Sequence, residues 1–374
     1  MNNKIITIVV LIIVIILGGI WYAQKDKAVT PATGEPIKIG AVISMTGVAA
    51  GTGEYAQKAL VLAEEEINNN GGIDGRPVEI TIEDDVTDPT KAVTAFNKLV
   101  DVDKVEGVIG SLWDFTTQPL MPLALSKKIA LISPTNFRIA GSFDLNDYSF
   151  VMLSDFSKVV ATLEGYLKDS KAEKVAVVHY NSGFGAEIAK TLNTVMVGLG
   201  KPAVLDESYN TLGGNDFRTT VLKLKTAGVD TVFIDALDID TLNFLQRSKE
   251  LGYTPTIITH VLILDALQNA DVDKTLLEGV VVLNWETSSA DFEKVFTKKY
   301  GIGPAKSADK VYDTVYVLAE AIAKAESTDQ VATYLETTEF KTINGKISFT
   351  TDHASANTPV KVQVIKNGVL TGIK

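Results

Sequence analysis

The strongest constraint on this chain is a regular alternation of short β-rich runs and helical patterns that begins at Ile37. The run Ile37–Ser44 is predicted to be a strand, and Tyr55–Asn68 follows with apolar residues spaced along one helical face. Val78–Ile82 is the next predicted strand, and Thr90–Val100 is the next predicted helix. Strands that alternate with helices in this way indicate βαβ units, in which the strands run parallel and the helices cover the sheet.

The same alternation restarts in the middle of the chain. Ser157–Lys168 is a predicted helix and Lys174–His179 a predicted strand, and the series continues to a last predicted strand at Gly279–Asn284. A chain of 374 residues is long enough for two domains. The predicted fold class is therefore α/β, with two lobes of similar build.

An uncharged apolar segment precedes this folded part. Ile5–Tyr22 is long enough to span a bilayer, which takes roughly 17–25 residues, so residues 1–23 are predicted to be a signal anchor, that is, a transmembrane helix. The alternative is a cleaved signal peptide, but Trp21 stands where the nearest cleavage point requires a small residue. Residues 24–36 are polar and contain prolines and a glycine, which predicts a flexible linker.

Composition and missing motifs exclude several functions. The net charge of −11 argues against nucleic acid as a partner, because phosphate binding needs clustered lysines and arginines. There is no cysteine, and the three histidines are scattered, so neither a metal site nor a cofactor is predicted. No P-loop or nucleophile-elbow motif is present, and the chain is predicted not to be an enzyme. The acidic run Asp84, Asp85 and Asp88 is interpreted as a loop and a helix start rather than as a metal site.

A series of short motifs resembles one family. Ile39–Ile80 contains a strand, the motif Ser-x-Thr-Gly, and a helix that ends in Ile-Asn-x-x-Gly-Gly-Ile-x-Gly. Ile109-Gly110-Ser111, Thr117-Gln118-Pro119 and Ile132-Ser133-Pro134 follow in the family's order. Together they resemble the branched-chain amino-acid (Leu/Ile/Val) binding proteins of ABC uptake systems, and the resemblance covers about residues 37–370.

The resemblance implies the type I periplasmic binding protein fold, in which three crossovers join two doubly wound, Rossmann-like lobes and a small molecule binds between them. Residues 37–154 and 287–357 would form lobe 1, and residues 155–286 and 358–374 would form lobe 2. The implied function is capture of a small solute outside the cytoplasm by hinge closure, with delivery to ABC permease subunits in the cell membrane. The alternative is a ligand-sensing ectodomain that signals to a membrane partner.

The candidate ligand-binding residues lie in the loops that follow strands, where members of this family hold their ligands. The positions that match are Thr52, Trp113, Asp114, Thr135, Asn136 and Phe137 in lobe 1, and Phe184, Asp235, Leu237 and His260 in lobe 2. Trp113, Phe137 and Phe184, together with Phe115, are expected to form an aromatic wall.

Several of these positions depart from the amino-acid binders, and Phe184 and Leu237 stand where tyrosines are usual. Asp114 stands where a serine commonly binds the ligand's carboxylate, and Val261 aligns with an acidic residue that usually receives the ammonium group. Because two carboxylates repel each other, an amide, amine or aromatic compound is favoured as the ligand over an α-amino acid. Arg138 is the one arginine expected near the cleft that could bind an acidic ligand.

Other roles stay open for several candidates. Asp235 could cap the helix that follows it, as Asp often does, instead of binding ligand. His260 could be a structural histidine in the core. Phe115 and Phe137 could pack beneath their own loops without reaching the cleft.

Overall fold

The computed structural model describes residues 32–268, 271–285, 288–305 and 307–373. The anchor predicted for residues 1–23 lies outside the described residues, as does the linker up to residue 31. Within the described ranges, no helix has both the length and the apolar character needed to cross a membrane. The described end of the linker is bound to the folded part, because the N–H groups of Thr33 and Gly34 donate to the Gly75 carbonyl at 3.1 and 3.0 Å.

Five parallel strands form the first sheet, in the order β2-β1-β3-β4-β5. Their bounds are β1 Ile37–Ile43, β2 Val78–Asp84, β3 Gly107–Gly110, β4 Leu131–Ser133 and β5 Ser149–Val151. The helices between them are α1 Ala50–Asn69, α2 Pro89–Asp101, α3 Asp114–Thr117 and α4 Met121–Lys127. Because β1 pairs with both β2 and β3, the connections run outward from it in opposite directions, as in a doubly wound sheet.

A local sequence signal explains where one of these helices begins, and a tertiary contact explains the start of another. The Asp88 carboxylate accepts hydrogen bonds from two N–H groups in the first turn of α2, so that helix starts at the predicted Asp-Pro pair. Helix α1 starts at Ala50 instead of the predicted Tyr55. Its first turn packs directly on the loop after β1, where a Cβ on Gly53 would lie 1.8 Å from the Ser44 carbonyl oxygen.

Seven strands form the second sheet, in the order β14-β13-β10-β9-β8-β6-β7. Its parallel part comprises β6 Val175–Tyr180, β7 Leu205–Tyr209, β8 Thr231–Asp235, β9 Thr256–His260 and β10 Val281–Asn284. Its helices are α5 Ser157–Asp169, α6 Gly183–Gly198, α7 Arg218–Ala227, α8 Asp238–Glu250 and α9 Leu264–Gln268. The antiparallel strands β13 Lys361–Lys366 and β14 Val369–Gly372 extend it beyond β10.

The segment between β10 and β13 returns to the first sheet. It contains α10 Ala290–Tyr300, α11 Ala308–Lys324, α12 Val331–Thr337 and the hairpin β11 Phe340–Thr342 with β12 Gly345–Ile347. Helix α11 packs against α1, and the Tyr312 hydroxyl donates a 2.7 Å hydrogen bond to Glu66 in that helix. The chain therefore passes between the two sheets three times. The predicted fold class of two α/β lobes is confirmed, and the residue limits of the lobes stay a prediction.

The apolar core consists of two clusters of buried side chains among the described residues. One cluster lies between the first sheet and helices α1 and α11, and includes the fully buried Phe292, Phe296 and Tyr312. A second cluster fills the second lobe and extends along the crossover through Leu153 and Phe156 to the first sheet. Burying one such large apolar side chain contributes roughly 1.5–3 kcal/mol. The first cluster therefore covers one face of the first sheet, and the second cluster covers the second sheet together with the other face of the first.

Candidate functional site

A cavity of about 110 Å³ lies between the two lobes, at the carboxyl ends of their parallel strands. All ten residues predicted to bind ligand line this cavity. The other described residues that line it are Leu112, Phe115, Ile139, Tyr180, Ser182, Leu212, Ala236, Val261, Leu262, Trp285 and Ser307. The volume is enough for several waters or for a small organic molecule, since one water occupies about 10–15 Å³ by this measure.

The lobe 1 loops are held in place by their own polar side chains. The Thr135 hydroxyl donates to the Leu112 carbonyl, which ties the loop after β4 to the loop after β3. Asn136 is buried, and its amide nitrogen donates to the hydroxyls of Thr117 and Ser133, each at 2.9 Å. Asn136 therefore fixes the shape of the loop as well as lining the cavity.

Asp85 lies behind these loops and connects the segments that follow β1, β2 and β3. Its carboxylate accepts hydrogen bonds from the hydroxyls of Ser44 (2.6 Å) and Ser111 and from the Thr87 N–H at 2.8 Å, and the side chain is fully buried. Its acidic neighbour Asp88 caps α2. In the part of the chain that the structure describes, no group of three or more potential metal ligands lies together.

Asp114 reaches across the cleft. Its Oδ2 atom accepts a 3.1 Å hydrogen bond from the backbone N–H of Phe184, in the first turn of helix α6 of the opposite lobe. Burial between the lobes raises the pKa of the Asp114 carboxyl, and the negative charge of Asp235 adds to the increase. Hydrogen bonds from the N–H groups of Phe184 and Phe115 oppose this increase.

Aromatic side chains from both lobes form one wall of the cavity. Phe137 stacks on Phe184 with ring centroids 6.4 Å apart and meets Trp285 edge-on at 4.9 Å. Phe115 meets Tyr180 edge-on at 5.6 Å, so it also contacts the opposite lobe. Phe137 is only 4% exposed, which means that it both packs beneath its loop and lines the cavity.

Lobe 2 contributes a buried carboxylate–imidazole pair. Strands β8 and β9 are parallel neighbours, so their last residues Asp235 and His260 lie side by side, and His260 Nε2 is 2.9 Å from Asp235 Oδ1. Asp235 does not cap α8, whose N-cap residue is Leu237. His260 Nδ1 and Trp113 Nε1 are buried and have no hydrogen-bond partner among the described residues.

Arg138 does not line the cavity. Its guanidinium binds the Asp155 carboxylate at 2.6 Å and lies 3.7 Å from Asp144. The expectation that it could hold an acidic ligand in the cleft is therefore wrong in this arrangement. Its partner Asp155 lies at the start of lobe 2, a position that the local sequence pattern does not reveal.

Several lining residues were not among the predictions. Tyr180 ends β6 and Trp285 follows β10, so the rule that loops after strands line the cleft identifies both. Leu212 lies in a long loop whose shape depends on the buried Asp240, which accepts hydrogen bonds from the N–H groups of Gly213 (2.7 Å) and Asn215 (3.2 Å). Nothing in the local sequence indicates that this loop turns toward the cleft.

Two α/β sheets that face each other across a cavity at their carboxyl ends define a two-lobed ligand-binding protein. The sequence matches the periplasmic binding protein family over residues 36–369, and the chain belongs to that family. The resemblance drawn from the sequence motifs is thereby confirmed. A relative from Brucella abortus, named Leu/Ile/Val-binding protein homolog 7, is 28% identical over 338 residues, covering 83% of this chain and 82% of the relative.

Solved structures show the same fold. The branched-chain amino acid transporter substrate binding protein LivJ from Streptococcus pneumoniae, in complex with isoleucine, superposes with a TM-score of 0.79 at 23% identity, covering 90% of this chain and 98% of that one. A solute binding protein of an ABC transporter from Rhodopseudomonas palustris, in complex with 3,4-dihydroxy benzoic acid, gives a TM-score of 0.78 at 19% identity, covering 91% and 96%.

Proposed function

We propose that this protein is the extracytoplasmic solute-binding component of an ABC importer, and that it captures a small solute without a carboxylate between its two lobes. Family membership and the relatives named as Leu/Ile/Val-binding and ABC-transporter proteins support the transport role. The protein binds its solute without transforming it and delivers it to permease subunits. Residues 1–23 anchor it in the membrane, and the linker connects this anchor to the two lobes, which lie outside the cytoplasm.

The bond between Asp114 and Phe184 is the observation that carries the choice of solute. The N-terminus of a helix is a ready-made binding site for an anion, and at α6 a carboxylate of the protein itself already takes this place. None of the described residues that line the cavity is a lysine or arginine. A carboxylate on the solute would therefore meet Asp114 and Asp235 without a lysine or arginine among the described lining residues to offset them.

The two unpaired nitrogens support ligand contact on both sides of the cavity. A buried polar group without a partner costs about 1–3 kcal/mol, and a solute that bonds to Trp113 Nε1 or His260 Nδ1 recovers this energy. We propose that the ten predicted residues contact the solute, with Asn136 acting chiefly through the loop that it holds. The isoleucine and dihydroxybenzoic acid bound by the two structural relatives both carry a carboxylate, so this chain would differ from them in its solute.

A thermal-shift screen of the full chain in detergent tests this function. The panel contains leucine, isoleucine, valine, benzoate, amides, amines and uncharged aromatic compounds. A solute at one hundred times its Kd stabilises the folded state by about 2.7 kcal/mol, which raises the Tm by several degrees. We expect stabilisation by carboxylate-free compounds, and we expect Trp113→Ala to abolish it while the exposed control Asp147→Ala keeps it.

Two results would contradict the proposal. Stabilisation by leucine, isoleucine, valine or benzoate as strong as that by any carboxylate-free compound would show that the cavity accepts carboxylates. The absence of stabilisation by every compound in the panel would count against solute capture itself.

A further inference from the structure

Two carboxylates from opposite lobes line the cavity. Asp114 belongs to the loop after β3, and Asp235 ends β8. They are close enough for the charge of Asp235 to raise the pKa of Asp114. Because both lie in a largely apolar cleft, their mutual repulsion is screened much less than it would be on the surface.

The protein offsets this charge only in part. Asp114 receives hydrogen bonds from two backbone N–H groups, one of them at the start of a helix, and from the Ser182 hydroxyl, which bring partial positive charges but no full charge. Asp235 is paired with His260, the one described lining residue that can carry a full positive charge. When both carboxylates are ionised, the described lining offers no lysine or arginine to balance them.

The rest of the lining suits a cation with an apolar body. Six of the described side chains that line the cavity together with the two carboxylates are aromatic: Trp113, Phe115, Phe137, Tyr180, Phe184 and Trp285. The faces of aromatic rings attract ammonium groups. Aliphatic or aromatic carbon on the solute would gain from the same surfaces.

We propose that the solute is a small organic cation whose ammonium group lies between Asp114 and Asp235 and whose apolar part contacts the aromatic side chains. This inference rests on the proposed function, because it identifies the solute that the cleft captures. The cavity of about 110 Å³ has room for a cation of on the order of ten non-hydrogen atoms. A neutral solute of the same shape would leave the two carboxylates uncompensated, and an acid would add to their repulsion.

Compounds of nearly the same size that differ in charge test the inference. Binding of benzylamine, benzyl alcohol and benzoate to the full chain in detergent is measured by calorimetry, together with an aliphatic set of isopentylamine, isopentanol and leucine. We expect an amine of at least one set to bind at least tenfold more tightly than its alcohol and its acid. Asp114→Asn and Asp235→Asn are each expected to weaken the binding of that amine at least tenfold, while the exposed control Asp147→Asn leaves it unchanged.

The outcomes separate this inference from the proposed function. An alcohol that binds as tightly as its amine, or an amine whose affinity is unchanged in both variants, contradicts the inference that the solute is a cation. Either result is still consistent with the proposed capture of a solute. Preferential binding of leucine or benzoate also contradicts the inference, and shows in addition that the solute carries a carboxylate. If no amine binds, the inference is wrong, and the wider thermal-shift panel then decides whether the cleft captures any solute.

Discussion

The carboxylate of Asp114 and the backbone N–H of Phe184 form a 3.1 Å hydrogen bond that joins the two lobes across the cleft. The stacking of Phe137 on Phe184 lies beside it and also connects the lobes. Since the strands on either side belong to separate sheets, these contacts hold the lobes close to each other. The bond therefore helps to hold the cleft closed.

Replacing Asp114 should change how often the lobes are closed. Asp114→Ala removes the acceptor, so we expect a more open average structure and a larger radius of gyration in small-angle scattering. Asp114→Asn keeps a carbonyl oxygen that can accept from Phe184 and should stay as compact as the parent. An alanine variant with the parent's radius of gyration would show that aromatic packing alone closes the cleft.

Asp240 should control the loop that carries Leu212. Asp240→Ala removes the acceptor for the N–H groups of Gly213 and Asn215, and leaves them without their present partner. We expect a solute found by the thermal-shift screen to dissociate at least tenfold faster, as measured by stopped-flow fluorescence. Asp216→Ala, in the exposed segment after this loop, serves as the control. Equal dissociation rates in the two variants would contradict a role for Asp240 in retaining the solute.

Trp285 should contribute to stability as well as to binding. It is 7% exposed and packs against Phe137 at 4.9 Å and His260 at 5.7 Å. We expect Trp285→Ala to lower the free energy of unfolding by about 3–5 kcal/mol in urea denaturation, and Trp285→Phe to lower it by clearly less. A loss below about 1 kcal/mol for the alanine variant would contradict this prediction. It would mean that the two lobes move together and fill the space that the indole leaves.

Asp313 should make stability depend on pH. It is buried in α11, accepts a 3.0 Å hydrogen bond from Asn344 and is flanked by Asp309 and Lys310, and burial raises its pKa to about 7. Between its ordinary value of 3.8 and about 7, the folded protein keeps a proton that the unfolded chain has released. This contribution favours the folded state at low pH, and it is lost as the pH rises through that range.

Asp313→Asn imitates the protonated carboxyl at every pH. We therefore expect it to raise the free energy of unfolding at pH 8, by up to roughly 4 kcal/mol, with little change at pH 4. Urea denaturation at the two pH values, with Asp147→Asn as the exposed control, measures the difference. An equal effect of Asp313→Asn at pH 4 and pH 8 would contradict a raised pKa at this position.

Much of the architecture was predictable because its signals are local. Apolar runs of strand length, helical spacing between them, and caps such as Asp88 depend on residues close together in sequence. The sequence assigned the segment after Asn284 to lobes but did not predict its individual helices and strands. There the chain leaves one sheet for the other, and its short antiparallel strands extend a sheet formed by distant residues.

The residues of the site were predictable where they come directly after a predicted strand. Parallel strands end at the same edge of a sheet, so residues just after them gather without any further information. This places Trp113, Asp114 and His260 around one cavity. The same reasoning, applied to the end of β10, also identifies Trp285.

The two α/β lobes, the family and the loops that meet at the cleft can all be derived from the order of the residues. The folded arrangement was needed to show that Asp114 bonds to Phe184, that Asp235 pairs with His260, and that Arg138 is held by Asp155 away from the cavity. These pairings depend on how the strands and lobes are placed against each other. No local pattern encodes that placement, because it results from packing between segments far apart in the chain.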